Sequence, residues 1–159
     1  RSFAVFSFGK TYHITGWKLG YCIAPKKLMK EFRKVHQYLV FTTHSASQYA
    51  LADFMEDKTA YTGLGAFYQR KRDLFNKSLE GSCFRIIPAQ GTYFELLCYD
   101  SITDENDVAF ADRLTAEHGV ASIPVSVFYS KEADHKVLRF CFAKSDEELE
   151  AAAERLCKI

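Results

Sequence analysis

Lys10 stands where a short strand runs out into a polar turn, in the segment Ser7-Phe8-Gly9-Lys10. An amine held rigidly at such a place and partly desolvated has its charged form penalised. A lysine so treated is a nucleophile that condenses with a carbonyl. Ser7, three residues earlier, offers a hydroxyl, and Lys18, eight residues later, offers a compact positive charge; both types bind phosphate. Gly16 and Gly20 permit close approach of backbone. Far along the chain, Arg139 lies in the apolar run Val137-Leu138-Arg139-Phe140-Cys141. Burial of a guanidinium there demands an anionic partner, and a guanidinium grips a carboxylate through two parallel N–H donors. On residue type alone, a lysine in a turn is more often a surface lysine, and a strand arginine more often half of an ordinary ion pair.

Positioning Lys10 takes a strand, a turn and a second strand. Residues 2–8 (SFAVFSF) alternate small or polar with aromatic or β-branched types, and residues 17–23 (WKLGYCI) supply the second strand. Pro25 opens a helix with Leu28, Phe32, Val35 and Leu39 at helical spacing. Ser45 with Gln48 has the spacing of a capping box for a helix over 46–57, and a longer helix is expected over 63–80, with Arg70-Lys71-Arg72 on its solvated face. Strands 83–87 and 92–98, a helix 105–118 stopped by Gly119, strands 120–123 and 136–142, and a last helix capped by Ser145 with Glu148 complete the chain. That order reads as α+β: a mixed or antiparallel sheet with helices on one face.

Lys plus Arg total 21 and Asp plus Glu 20, a balance that gives no pull toward nucleic acid or an anionic membrane. No apolar run approaches the roughly 20 residues of a membrane span. The five cysteines, at 22, 83, 98, 141 and 157, lack C-x-x-C spacing and read as free, buried thiols of a reducing cytoplasm. His13, His36, His44, His118 and His135 show no metal spacing, so no metal is expected. The chain opens on Arg1-Ser2-Phe3, already inside an apolar run, as a piece of a longer polypeptide would.

The pattern S-x-G-K-x-x-x-x-x-G-W-K-x-G-Y from Ser7 to Tyr21 resembles the cofactor-attachment signature of class I/II aminotransferases, enzymes of fold type I that use pyridoxal-5′-phosphate (PLP). The segments KVHQYLVF, QGTYFELL, GVASIPVSVFY and KVLRFCFAK look like the branch acting on methionine, kynurenine and glutamine, in the expected order. The resemblance implies that Lys10 carries the cofactor, that Ser7 and Lys18 bind its phosphate, and that Arg139 binds the substrate α-carboxylate. It implies that Phe94 and Phe128 line the side-chain pocket, and that Phe41 and Thr42 stand where dimeric members reach toward the partner subunit. Residues 1–25 would then be a remnant of a large PLP-binding domain, 26–80 the helices linking large and small domains, and 81–159 a C-terminal small domain.

On that resemblance the expected substrates are an amino acid and a 2-oxoacid, the expected partner is a second copy, and the expected compartment is the cytoplasm. The chain alone should not catalyse the reaction, because the family's groups that hold the cofactor ring lie outside it. Competing readings are PLP-dependent β-elimination at a C–S bond and an aminotransferase-like effector module of a transcription regulator.

Overall fold

The computed structural model describes residues 1–131 and 133–159, which divide into two compact units, Arg1–Leu64 and Gly65–Ile159. In the first unit, β1 (Ala4–Ser7) pairs antiparallel with β2 (Gly20–Ile23), with Ser7 opposite Gly20. The second strand is shorter than the alternation suggests. Residues Thr15–Trp17 close a 3-10 turn instead, and Lys18 takes a left-handed φ of 56°, which breaks the extended run. Pro25 caps α1 (Lys26–Leu39), its fixed φ suiting the helix start. Leu28 and Phe32 are half-buried as the spacing requires, but Val35 and Leu39 of the same stripe are exposed, as are Tyr38, Val40 and Phe41 beyond them.

Helix α2 (Ser45–Phe54) starts one residue earlier than expected, and no Ser45–Gln48 box forms. His44 is the cap: its Nδ1 accepts the Ser47 N–H at 3.3 Å, while the Gln48 amide donates to Thr43 O at 2.9 Å. A single turn, α3 (Thr59–Thr62), precedes α4 (Leu64–Ser78), which is the helix expected over 63–80.

The second unit is built on four antiparallel strands in the order β3-β4-β6-β5: β3 (Arg85–Ile87), β4 (Phe94–Cys98), β5 (Ile123–Pro124) and β6 (Val137–Cys141). Helices α4, α5 (Asp107–His118) and α6 (Asp146–Leu156) cover one face. The core joins Leu97, Leu138 and Phe140 of the sheet to Phe75, Phe110, Leu114, Leu149, Ala153 and Leu156 of the helices, all nearly inaccessible to water. Ser145 and Glu148 form the expected capping box of α6, and Gly119 ends α5 at φ 65°.

Two sequence expectations fail here. The run Arg70-Lys71-Arg72 is solvated only in part: Arg70 is exposed, but Lys71 is 6% exposed and pairs with Asp146 at the start of α6, and the half-buried Arg72 donates to Ala89 O at 2.9 Å. A lysine can be buried there because a carboxylate meets it. The five cysteines are free, but only Cys98 is buried; Cys22 is half-buried, and Cys83, Cys141 and Cys157 are exposed. Cys141 sits in an apolar run yet points to the sheet face that the helices leave open.

Tyr99, just after β4, is fully buried and donates its hydroxyl to Glu105 O at 3.1 Å. Burial first, then the carboxylates of Asp134, Asp107 and Glu105, push its phenol above the ordinary range. The unfolded chain releases that proton near about pH 10 while the folded chain retains it. Stability therefore declines as pH rises above that value, because the unfolded state binds fewer protons. Alkaline denaturation curves should show this decline, and Tyr99→Phe should flatten it while lowering the neutral-pH plateau.

Candidate functional site

Strand register decides which side chains share a face. Arg139 is opposite Leu96 on β4 and Ile123 on β5, and Phe94 is opposite Cys141. Because side chains alternate, Phe94, Leu96, Ile123, Arg139 and Cys141 all point away from the helices, while Leu97, Leu138 and Phe140 point into the core. The apolar neighbours of Arg139 in sequence are thus the reason its strand is anchored. Arg139 itself lies on the open face, half-buried.

Its guanidinium carbon is 4.8 Å from the centroid of the Phe94 ring and 5.2 Å from that of Phe128. Phe128 arrives on a 3-10 turn, Ser126–Phe128, just after β5. The three residues that the sequence singles out in this unit are therefore brought together. Arg70, Arg72, Arg85 and Arg113 each have a carboxylate partner, but among the described residues no Asp or Glu pairs with Arg139. Each cation–π contact contributes about 0.5–2 kcal/mol. Withdrawing an ion from water costs several kcal/mol, so two rings do not offset full burial. The rings offer no hydrogen-bond acceptor in the plane of the guanidinium N–H donors, and a carboxylate matches those donors with two parallel bonds.

The other predicted residues gather at one end of the β1–β2 hairpin. Ser7 ends β1, Lys18 lies two residues before β2, and the Phe8 N–H to Leu19 O bond of 3.1 Å extends the ladder between them. The turn carrying Lys10 is fixed by Tyr12 N–H to Phe8 O at 3.0 Å and Ile14 N–H to Gly9 O at 2.9 Å. Gly9 N–H donates to Ser7 Oγ at 3.1 Å, which leaves the Ser7 hydroxyl proton for a different acceptor. Gly20 is needed: a Cβ there would lie 2.5 Å from Phe6 O. Gly16 has open space around it, so close approach does not explain that glycine. Lys10 is exposed rather than partly desolvated, because the turn leaves its side chain at the surface of the unit.

A hydroxyl and an ammonium at one hairpin end suit a phosphate, and an amine in the connecting turn suits an aldehyde. The donor set of the first unit therefore fits one phosphorylated aldehyde cofactor, and the second unit fits a carboxylate. Phe41 is exposed with φ 67°, and the exposed Thr42 hydroxyl donates to Thr43 O at 3.3 Å. Sequence reading overlooked two buried carboxylates, Glu95 and Asp107. Glu95 carried a signal, a charge interrupting the apolar strand Phe94-Glu95-Leu96-Leu97; Asp107 was hidden in the acidic run that leads into α5 and ends on its first residue.

A family model for aminotransferase class I and II matches residues 2–156. Methionine aminotransferase of Escherichia coli (strain K12) is 50% identical over 160 residues, covering 100% of this chain and 42% of that protein. Kynurenine–oxoglutarate transaminase of Dictyostelium discoideum is 34% identical, with 100% and 42% covered. Among solved structures, a methionine aminotransferase from Escherichia coli superposes with a TM-score of 0.94 at 49% identity, over 100% of this chain and 42% of that one. An aromatic aminotransferase from Pyrococcus horikoshii OT3 superposes with a TM-score of 0.85 at 26% identity, over 98% and 42%. The chain thus spans about two fifths of the length of these relatives.

Proposed function

Because this chain belongs to the class I and II aminotransferases, we propose that it is part of a PLP-dependent enzyme that moves an amino group from an apolar, aromatic or sulfur amino acid to a 2-oxoacid. The observation that carries this reading is Arg139: a half-buried guanidinium under two aromatic rings, with no ion-pair partner among the described residues. A substrate that brings both a carboxylate and an apolar side chain satisfies that surface. A second carboxylate beside Phe94 and Phe128 would find no partner there and would be costly to desolvate. The similarity to methionine and kynurenine enzymes points to the same donors.

PLP, when bound, supplies an aldehyde to take the amino group and a ring that draws electrons from the α-carbon. The chain's own groups would take part as follows. Ser7 and Lys18 bind the phosphate, the hydroxyl as donor and the ammonium as point charge. Lys10 would be the residue that holds the cofactor, and its Nζ would serve as the base that takes the proton from the substrate α-carbon. Arg139 would hold the carboxylate through its planar fork and so orient the substrate it grips. Phe94 and Phe128 exclude water on the side-chain side.

The groups that hold the cofactor ring lie outside residues 1–159, so this chain alone is inactive in our reading. A second copy is the partner this reading expects, on the likeness of Phe41 and Thr42 to positions that reach toward the partner subunit in dimeric members. No helix of the described residues is long and apolar enough to cross a membrane, and a cytoplasmic location fits the free cysteines.

Borohydride reduction of the complete protein loaded with PLP, followed by peptide mass mapping, should leave the pyridoxyl group on Lys10; its recovery on another lysine sinks the assignment. Arg139→Lys keeps the charge and loses the planar fork, so kcat/KM for methionine or phenylalanine should fall by about 2–4 kcal/mol in transition-state terms. Steady-state kinetics that gave near-normal values, or that ranked aspartate first among donors, would contradict the reading.

A further inference from the structure

The sheet face that carries Arg139 is braced by two carboxylates to which the chemistry above gives no role. Asp107 and Glu95 are 2% and 0% exposed. Asp107, the first residue of α5, accepts the Ser126 N–H on Oδ2 at 2.7 Å and the Ser126 hydroxyl on Oδ1 at 2.6 Å. Ser126 begins the 3-10 turn that ends in Phe128, a turn closed by Phe128 N–H to Val125 O at 3.2 Å and Tyr129 N–H to Ser126 O at 3.0 Å. One buried carboxylate therefore grips, through both oxygens, the residue from which one of the two rings is presented.

Glu95, the strand neighbour of Phe94, anchors the approach to the other ring. It accepts the Ala89 N–H at 2.6 Å and the Asn76 amide at 2.9 Å, and Arg72 holds the Ala89 carbonyl at 2.9 Å. These bonds pin the loop over 88–93 that leads into Phe94. Thr92 in that loop has φ 70°, a conformation that a β-branched residue adopts only when its surroundings enforce it. Bonds to an ionised acceptor are short and strong, and buried ones are not readily exchanged for water.

We propose that Asp107 and Glu95 are positioning residues for the carboxylate site, each fixing one of the rings that hold the Arg139 guanidinium, and so set how tightly a substrate carboxylate binds. The inference rests on the reading of Arg139 as the carboxylate-binding residue. An acid at the start of α5 also favours the helix dipole. That contribution alone would make Asp107 a stability residue with no effect on ligand affinity, so affinity is the quantity that discriminates.

The test titrates 3-phenylpropionate, an apolar carboxylate with no amino group to react, onto the complete PLP-loaded protein. Variants are Asp107→Ala, Asp107→Asn, Ser126→Ala, Glu95→Gln and Arg139→Lys, each at a temperature where it is fully folded. Asp107→Ala should raise Kd about tenfold, the low end of what losing an outer partner does to a site, with cofactor content unchanged. Glu95→Gln, which replaces one of the two accepting oxygens by an amide donor, and Ser126→Ala, which leaves the acid at the helix start, should raise Kd less. Asp107→Asn, which still accepts the Ser126 N–H, should recover most of the affinity. Unchanged Kd in Asp107→Ala, or losses of affinity and cofactor content together that Asp107→Asn does not restore, overturns the inference. If Asp107→Ala does not fold, Ser126→Ala decides, and an unchanged Kd overturns it. If Arg139→Lys binds as well as the unaltered protein, the carboxylate reading itself fails and the inference falls with it.

Discussion

A positive charge half-withdrawn from water is the constraint around which the second unit is arranged. Arg139 occupies β6, paired with β4 on one side and β5 on the other. Its strand neighbours Leu138 and Phe140 are locked in the core at 0% and 3% exposure. They fix the backbone, and the alternation of the strand fixes the direction of the guanidinium. A lone charge in that position would be destabilising. The second unit tolerates it with Phe94 and Phe128 beside the guanidinium, an arrangement that stabilises the cation while, among the described residues, no carboxylate meets its N–H donors. The contrast with Lys71 is instructive: that amine is also buried, but Asp146 satisfies it.

The first unit is governed by a different constraint, the close pairing of two short strands. Ser7 opposite Gly20 brings the end of β1 to within two residues of Lys18, and the turn between them carries Lys10. A side chain at position 20 would collide with the Phe6 carbonyl, so the glycine is required by the hairpin itself. The hydroxyl, the ammonium and the amine therefore share one hairpin end because the register puts them there.

Much of this was legible in the residues. Alternation placed β4 and β6 to within two residues, the 3.6-residue spacing placed α1, and the capping box placed α6. Ser7, Lys10, Lys18 and Arg139 were singled out by their resemblance to family motifs, since residue type alone favours a surface lysine and an ordinary ion pair. What escaped was set by partners distant in sequence. Nothing local marks Lys71 as buried, since its carboxylate lies 75 residues away. Nothing local distinguishes Val35 and Leu39 from Leu28 and Phe32, because a helical stripe tells which side is apolar and not how far along it anything packs. Asp107 looked like one more acid at a helix start until Ser126 was seen beside it. Lys10 looked desolvated because its neighbours in sequence are small, whereas the structure leaves it exposed.

The central claim is that Arg139 keeps its N–H edge for a carboxylate that arrives with an apolar side chain. It is tested most directly by a crystal structure of the complete protein with such a carboxylate bound. The account predicts both carboxylate oxygens on the Arg139 guanidinium at about 2.7–2.9 Å, with the apolar part of the ligand against Phe94 and Phe128. A carboxylate bound elsewhere, with Arg139 paired to an aspartate or glutamate of the protein, would contradict it.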